Sequence, residues 1–266
     1  DSDTMVFSND KEYIIRVKAT DKVEIEETEV EDASKSIFRF VLPAVKLEIT
    51  DMPSLVTAGD ENVITVKALN QEDTPALYYQ GAVLFSCKYP AYDVLPSSYT
   101  FVTDDQGVHQ FSGEPVKLYV ADPLSWIKVE QEGGGITPHQ YSVEVKWASA
   151  QKLKVVVLGT NPRVAGTHYN CTVTVYDNKW GDWGNIVKDF TRSIHFTCTD
   201  PYPASLPPDY TFVSETDQGE HTFDDNPPGE GDIVFKTVTD TGWEVKAETE
   251  TITGKHLNIT VTAGSI

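Results

Sequence analysis

Leu206-Pro207-Pro208-Asp209-Tyr210-Thr211-Phe212-Val213, followed by Asp217-Gln218-Gly219-Glu220-His221-Thr222-Phe223, restates a stretch met earlier in the same chain. The earlier version is Leu95-Pro96-Ser97-Ser98-Tyr99-Thr100-Phe101-Val102, then Asp105-Gln106-Gly107-Val108-His109-Gln110-Phe111. The displacement is 111 residues for the first piece and 112 for the second. Working back, Cys198 falls on Cys87, and Arg163-Val164-Ala165-Gly166 falls on Val56-Thr57-Ala58-Gly59 at a displacement of 107. Displacements that grow only by small insertions mean two copies of one folding unit. The copies run over residues 45–148 and 149–266.

Between these landmarks period-two alternation dominates and helical periodicity is nearly absent. Asn62-Val63-Ile64-Thr65-Val66-Lys67-Ala68, Tyr141-Ser142-Val143-Glu144-Val145-Lys146, Ser193-Ile194-His195-Phe196-Thr197-Cys198 and Leu257-Asn258-Ile259-Thr260-Val261 alternate in this way. Gly, Pro, Asn and Asp clusters separate the runs. Many short strands at regular spacing read as an all-β chain of tandem sandwiches. Trp126 and Trp243 recur at matching places and are expected in the cores, while Trp147 falls at the junction.

Residues 1–44 align without gaps on the end of the second copy at a displacement of 220. Tyr13-Ile14-Ile15-Arg16 falls on Ile233-Val234-Phe235-Lys236, Glu24-Ile25 on Glu244-Val245, and Lys35-Ser36-Ile37 on Lys255-His256-Leu257. The segment reads as a partial sandwich, last strands only, with a free-standing three-stranded meander as the alternative. A half sandwich leaves an edge and an apolar face unpaired, here Ile15, Val17, Ile25 and Ile37 with Tyr13 on the opening strand. Upstream sequence, the neighbouring repeat or strands from another subunit must cover them, which makes this the expected assembly segment.

The V-x-A-G opener, the H-F-T-C-T-D strand at His195–Asp200 and the L-P-x-x-Y-T-F…D-x-G-x-H-x-F segment together resemble the immunoglobulin-like repeats of large prokaryotic surface proteins. That resemblance covers about 220 residues and implies tandem immunoglobulin-like β-sandwiches at the cell surface, a scaffold that carries many roles. The D-x-G-x-H-x-F piece is similar to the D-x-G-x-Y-x-C corner of antibody-like domains, where an aromatic residue ties the corner to the backbone. His109 and His221 take the aromatic place and are read as structural. The chain departs from the family pattern in its cysteines. It departs again at one loop, which is Asn70-Gln71-Glu72-Asp73-Thr74-Pro75 in the first copy and the longer Asp177-Asn178-Lys179-Trp180-Gly181-Asp182-Trp183-Gly184-Asn185 in the second.

Alternation places Cys171 and Cys198 on inward faces, so a Cys171–Cys198 disulfide across the core is expected, with three reduced cysteines as the alternative. Cys87, whose counterpart opposite is Ile64, reads as a buried free thiol. Asn170-Cys171-Thr172 and Asn258-Ile259-Thr260 are glycosylation sequons on outward positions, a weak signal in a Thr-rich chain. Trp180 and Trp183 are the candidate ligand loop, where indoles stack on a sugar; a loop that folds over its own or a neighbouring domain competes with that reading. Asp104-Asp105, Asp224-Asp225 and Asp177 with Asp182 offer oxygens to calcium, but no EF-hand spacing occurs. No metal ligand set and no cofactor are assigned.

The 266 residues carry 41 acidic and 21 basic side chains, a formal charge of −20. Nothing in that balance neutralises phosphates, which argues against nucleic acid and anionic membranes. No apolar run reaches the ~20 residues that span a bilayer, and no secretory hydrophobic region opens the chain. The G-x-S-x-G, phosphate-loop and H-E-x-x-H patterns are missing and the histidines are scattered, so the chain does not read as an enzyme. The expectation is an extracellular structural protein of the cell surface. It would be a homo-oligomer or homopolymer forming a filament, tube or surface layer by inter-subunit strand complementation. The alternative is the stalk of a prokaryotic adhesin that binds carbohydrate or a host protein.

Overall fold

A computed structural model describes residues 12–14, 37–39, 41–202, 205–224 and 231–264. The opening unit contributes β1 (Glu12–Ile14) and β2 (Ile37–Arg39), antiparallel with Tyr13 opposite Phe38. Tyr13 and Ile37 are described by their backbone, whereas Ile15, Val17 and Ile25, and with them the half-sandwich expectation, lie outside the described residues. Under the 220-residue displacement the counterparts of β1 and β2, residues 232–234 and 257–259, belong to different sheets.

The first sandwich holds β3 (Lys46–Thr50), β4 (Leu55–Thr57), β5 (Thr65–Leu69), β6 (Ala82–Cys87), β7 (Tyr99–Thr100), β8 (Val108–Gln110), β9 (Asp122–Gln131) and β10 (His139–Lys146). Its sheets are ordered β4-β10-β9-β6-β7 and β3-β5-β8. The second holds β11 (Lys152–Val157), β12 (Arg163–Val164), β13 (His168–Tyr169), β14 (Cys171–Tyr176), β15 (Ser193–Cys198), β16 (Tyr210–Thr211), β17 (Glu220–Phe223), β18 (Ile233–Val234), β19 (Thr239–Glu248) and β20 (Thr253–Thr262). Its sheets are β12-β20-β19-β15-β16 and β11-β14-β17, with β13 paired to β18. The five-stranded and three-stranded orders match; the β13–β18 pair has only an isolated bridge, Asn62 with Val116, as its counterpart in the first sandwich. In each sandwich, the short strand after the first loop runs parallel to the last strand, β4 with β10 and β12 with β20.

Alternation drives the packing. In β9, Ser125, Ile127 and Val129 are buried and the residues between them are not. One core gathers Leu47, Ile64, Val83, Phe101, Ile127 and Val143; the other gathers Leu153, Val173, Ile194, Phe212, Val245 and Ile259. Each such side chain contributes about 1.5–3 kcal/mol by leaving water. The cores are separate, one for each copy.

The repeated motif forms the same clasp in both copies. In the first, Asp105 closes a 3-10 turn (Thr103–Asp105) and accepts the N–H of Val102 at 2.8 Å and the Tyr99 hydroxyl at 2.9 Å. His109 Nδ1 lies 3.0 Å from the same carboxylate, and its ring stacks on Tyr99 with centroids 3.7 Å apart. In the second, Asp217 ends the short helix α1 (Ser214–Asp217); it accepts the N–H of Val213 at 2.6 Å and the Tyr210 hydroxyl at 3.1 Å, with His221 Nδ1 at 2.9 Å. The Tyr210 and His221 rings stack at 3.9 Å. The aspartate therefore ties the corner to the backbone, and the histidine braces the aspartate. Gly107 and Gly219 follow at φ 77° and 82°, where a Cβ would fall 2.7 Å from Ala76 O and 2.6 Å from Val187 O.

Two expectations are corrected. No Cys171–Cys198 disulfide forms; all three cysteines are free. Cys171 is sealed in the core opposite Val157 and Phe223. Cys198 stands at the rim, at the end of β15 in the other sheet, and its sulfur accepts the Asp200 N–H at 3.4 Å. Burial pushes the Cys171 thiol up to about 12 and the Cys87 thiol up to about 11, so both stay protonated and inert. Trp126 and Trp243 are not equivalent either. Cys87 pairs with Ile127 and Cys198 with Val245, so Trp126 precedes its core neighbour by one residue and Trp243 by two. Trp126 consequently turns away from the buried face of β9, while Trp243 packs on the second core and donates its Nε1–H to Thr237 O at 2.8 Å.

Burial raises the Asp105 carboxyl, but the Val102 N–H, His109 and Tyr99 outweigh it and hold the group below its ordinary value. Its stabilising contribution is then complete above the unfolded-state pKa and is lost as pH falls through the lower folded one. Asp105→Ala is expected to lower the stability of the first sandwich by about 2–3 kcal/mol in urea unfolding, with the second sandwich unchanged. Asp105→Asn should flatten the acid limb of that unfolding curve below about pH 4. Intact mass should be the same before and after reduction, with Cys87 and Cys171 alkylated only on unfolding.

Candidate functional site at the joint between the sandwiches

The chain passes from β10 to β11 through residues 147–151, in which Ala148 and Ala150 are buried. Trp147 packs on the second core and donates its Nε1–H to Asp189 Oδ1 at 2.7 Å. So short a connection brings the loop after β14, residues 177–191, against the end of the first sandwich.

Asp177 organises that loop from a position 1% exposed. Its Oδ1 accepts the N–H groups of Lys179 (3.1 Å) and Asn185 (2.8 Å), and its Oδ2 accepts Ala148 N–H (2.9 Å) and Asn185 Nδ2–H (2.8 Å). Four N–H donors occupy the carboxylate, and the linker is one of them. Gly184, at φ 92°, lets the loop close on this group, because a Cβ there would lie 2.4 Å from Asp177 Oδ1.

Asn185 carries the contact across. Its Oδ1 accepts Ala121 N–H of the first sandwich and Trp180 Nε1–H, both at 2.7 Å. Its Nδ2 donates to Tyr119 O of the first sandwich and to Asp177 Oδ2, both at 2.8 Å. All four hydrogen-bonding places of the carboxamide are filled, and the donors and acceptors around it fix which way it points. Trp180 lies against Tyr92 of the first sandwich, ring centroids 4.7 Å apart. Lys179 runs over Gly59 and Tyr119.

The receiving segment is itself held. Tyr119 donates its N–H to Asp93 Oδ1 at 2.8 Å. The other oxygen of Asp93 is buried without a hydrogen-bond partner of good geometry among the described residues, and burial holds this carboxyl above its ordinary value despite the Tyr119 N–H, the neighbouring Cys87 thiol and the Val120 N–H. Directly after Ala121, Asp122 accepts Lys88 Nζ–H and the Tyr89 hydroxyl, both at 2.5 Å. Burial raises that carboxyl, but these two partners and the Leu124 N–H outweigh it and bring it down to about 2.

The remaining sequence candidates can be placed on this geometry. Trp180 is packed into the joint. Trp183 is 37% exposed, leans on Tyr176 and has Lys152 and Lys154 Nζ each 5.5 Å from its ring. Asn170 and Asn258 are exposed, as a glycan acceptor requires. Of the paired aspartates, Asp105 and Asp177 are engaged as described, Asp182 O accepts Lys152 Nζ–H, and Asp225 lies outside the described residues. A cleft of about 700 Å³ on the first sandwich is lined by Glu61, Val63, Val94, Glu114 and Lys117 among others, and a smaller one of about 230 Å³ by Trp147, Asp189 and Glu215 among others; neither wall holds a histidine or cysteine. No helix among the described residues is long and apolar enough to cross a membrane. Sequence reading singled out the tryptophans and passed over Asn185. The available signal was that Asp177 directly follows β14 and that Asn185 precedes Ile186, which bridges back to Tyr176.

No family model matches the chain. Comparison with curated proteins gives no match either. Similar solved structures include FdeC, a broadly conserved Escherichia coli adhesin, at 11% identity over 84% of this chain and 66% of that one, TM-score 0.40. Domains 4–9 of the surface layer protein SbsC are similar at 14% identity over 86% of this chain and 33% of theirs, TM-score 0.30. A Parabacteroides merdae β-glucuronidase is similar at 11% identity over 79% and 24%, TM-score 0.29. The chain thus spans less than two thirds of these proteins.

Asn185→Ala should free the Ala121 amide, with hydrogen exchange there accelerating roughly tenfold or more, while core amides of both sandwiches keep their protection.

Proposed function

We propose that the chain is a structural element of a prokaryotic cell surface, a stiff rod of immunoglobulin-like sandwiches that joins with further units into a filament, tube or layer. The observation that supports this reading is the Asn185 carboxamide, hydrogen-bonded to both sandwiches and to the loop that carries it. A joint of this kind transmits orientation from one domain to the next. In this reading the Trp180 side of the candidate ligand loop serves the competing role of a contact with the neighbouring domain. The formal charge of −20 keeps such rods soluble and mutually repelling outside specific contacts. In the finer form of the proposal, residues 1–44 supply the joining strands, with Tyr13, Ile15, Val17, Ile25 and Ile37 on the face that a neighbour covers. For the adhesin-stalk alternative, Trp183 between Lys152 and Lys154 is the surface left to a ligand.

Small-angle scattering should show one elongated particle whose length distribution broadens in the Trp180→Ala, Asn185→Ala double variant. Removing residues 1–44 should abolish higher assembly in sedimentation while both complete sandwiches stay folded. A strictly monomeric full chain at every concentration would overturn the polymer, and an unbroadened distribution in the double variant would overturn the stiff joint.

A further inference from the structure

The receiving half of the joint is built twice. In the first sandwich Leu118 O accepts Gly59 N–H at 2.8 Å, and the next residue, Tyr119, gives its N–H to Asp93. Tyr119 O and Ala121 N–H then clamp the Asn185 carboxamide just before β9 opens at Asp122 opposite Val145. In the second sandwich Phe235 O accepts Gly166 N–H at 2.8 Å. The next two residues, Lys236 and Thr237, give their N–H groups to Asp200 at 2.8 and 3.1 Å, and β19 opens at Thr239 opposite Val261. Counted between these anchors, Lys236 O stands where Tyr119 O stands, and Val238 N–H where Ala121 N–H stands.

Among the described residues neither Lys236 O nor Val238 N–H has a hydrogen-bond partner. Val238 is 53% exposed. Tyr202, two residues after Asp200 and giving it its N–H at 3.0 Å, is 72% exposed; on the first sandwich the residue just before the pinning aspartate is Tyr92, which takes Trp180, so a tyrosine flanks each carboxylate from opposite sides along the chain. An aromatic side chain, a carboxylate-pinned segment and an open C=O/N–H pair two residues apart thus recur at the far end of the second sandwich.

The geometry points to this face as a vacant socket for another domain of the second-sandwich type, one whose loop carries tryptophan and asparagine as Trp180 and Asn185 do. The first sandwich of a second copy fits it less well. Asn70 N–H donates to Thr74 O at 2.9 Å as Asp177 N–H donates to Asn185 O at 3.0 Å, so that loop presents Thr74 in place of asparagine and holds no tryptophan. A threonine hydroxyl cannot span a C=O and an N–H as a carboxamide does. The inference deepens the proposed function and rests on its stiff joint.

The test is a chain of residues 1–264 followed directly by a second copy of residues 149–266, which sets Gly264 where Ala148 stands; the added domain brings its own core. Hydrogen exchange at the Val238 amide should slow by about tenfold or more relative to the original chain, and Asn185→Ala in the added copy alone should restore it. Fast exchange at Val238, with Ala121 protected and the added domain's core amides protected, overturns the socket and leaves the joint intact. Fast exchange at Ala121 itself overturns the stiff joint, and the socket with it. A version with the added domain on a flexible Gly/Ser linker gives the same readout if the direct junction misfolds.

Discussion

The Asn185 side chain can satisfy its oxygen and its nitrogen together in one arrangement of the two sandwiches. It is 6% exposed, so in this arrangement its partners are protein groups rather than solvent. A buried amide left with an unmet donor or acceptor costs about 1–3 kcal/mol, and a turn about the linker would leave several unmet at once. Orientation is thereby fixed by hydrogen-bond geometry, with Trp180 on Tyr92 adding apolar contact around it. Asp177 extends the constraint to the linker by taking Ala148 N–H, so loop and connection move as one body.

Two aspartates do the same work on the two receiving segments and differ in their chemistry. Asp200 is buried, which would raise its carboxyl, but Thr237, Tyr202 and Lys236 donate to it and hold it below its ordinary value. Asp93 has one buried oxygen with no hydrogen-bond partner of good geometry among the described residues, and burial prevails. Its ionisation in the fold is therefore disfavoured, and its contribution runs the opposite way with pH: greatest below the unfolded pKa and declining as pH rises through the folded one. The segment that makes the joint is pinned by the carboxylate whose charge is the less compensated of the two.

The all-β class and the duplicated corner were legible because they are written locally. Alternation sets the buried face of a strand, and the four-residue step from Asp105 to His109 recurs from Asp217 to His221, with Tyr99 six and Tyr210 seven residues ahead of its aspartate. The joint was not legible in that way. Asn185 bonds backbone groups at positions 119 and 121, and backbone partners leave no mark in residue identity. Where alternation was pushed to single residues it failed at irregularities. The register shift between Trp243 and Val245 moves one tryptophan inward relative to the other. Cys198 shares an inward face with Phe196, yet at a strand end that face opens onto a loop.

The parallel pairing of β4 with β10 and of β12 with β20 has a mechanical meaning. In each domain a strand near the entry lies alongside the strand that leaves, pointing the same way. Tension applied through the two ends slides such strands past each other, so their hydrogen bonds resist together in shear instead of opening one after another like a zip.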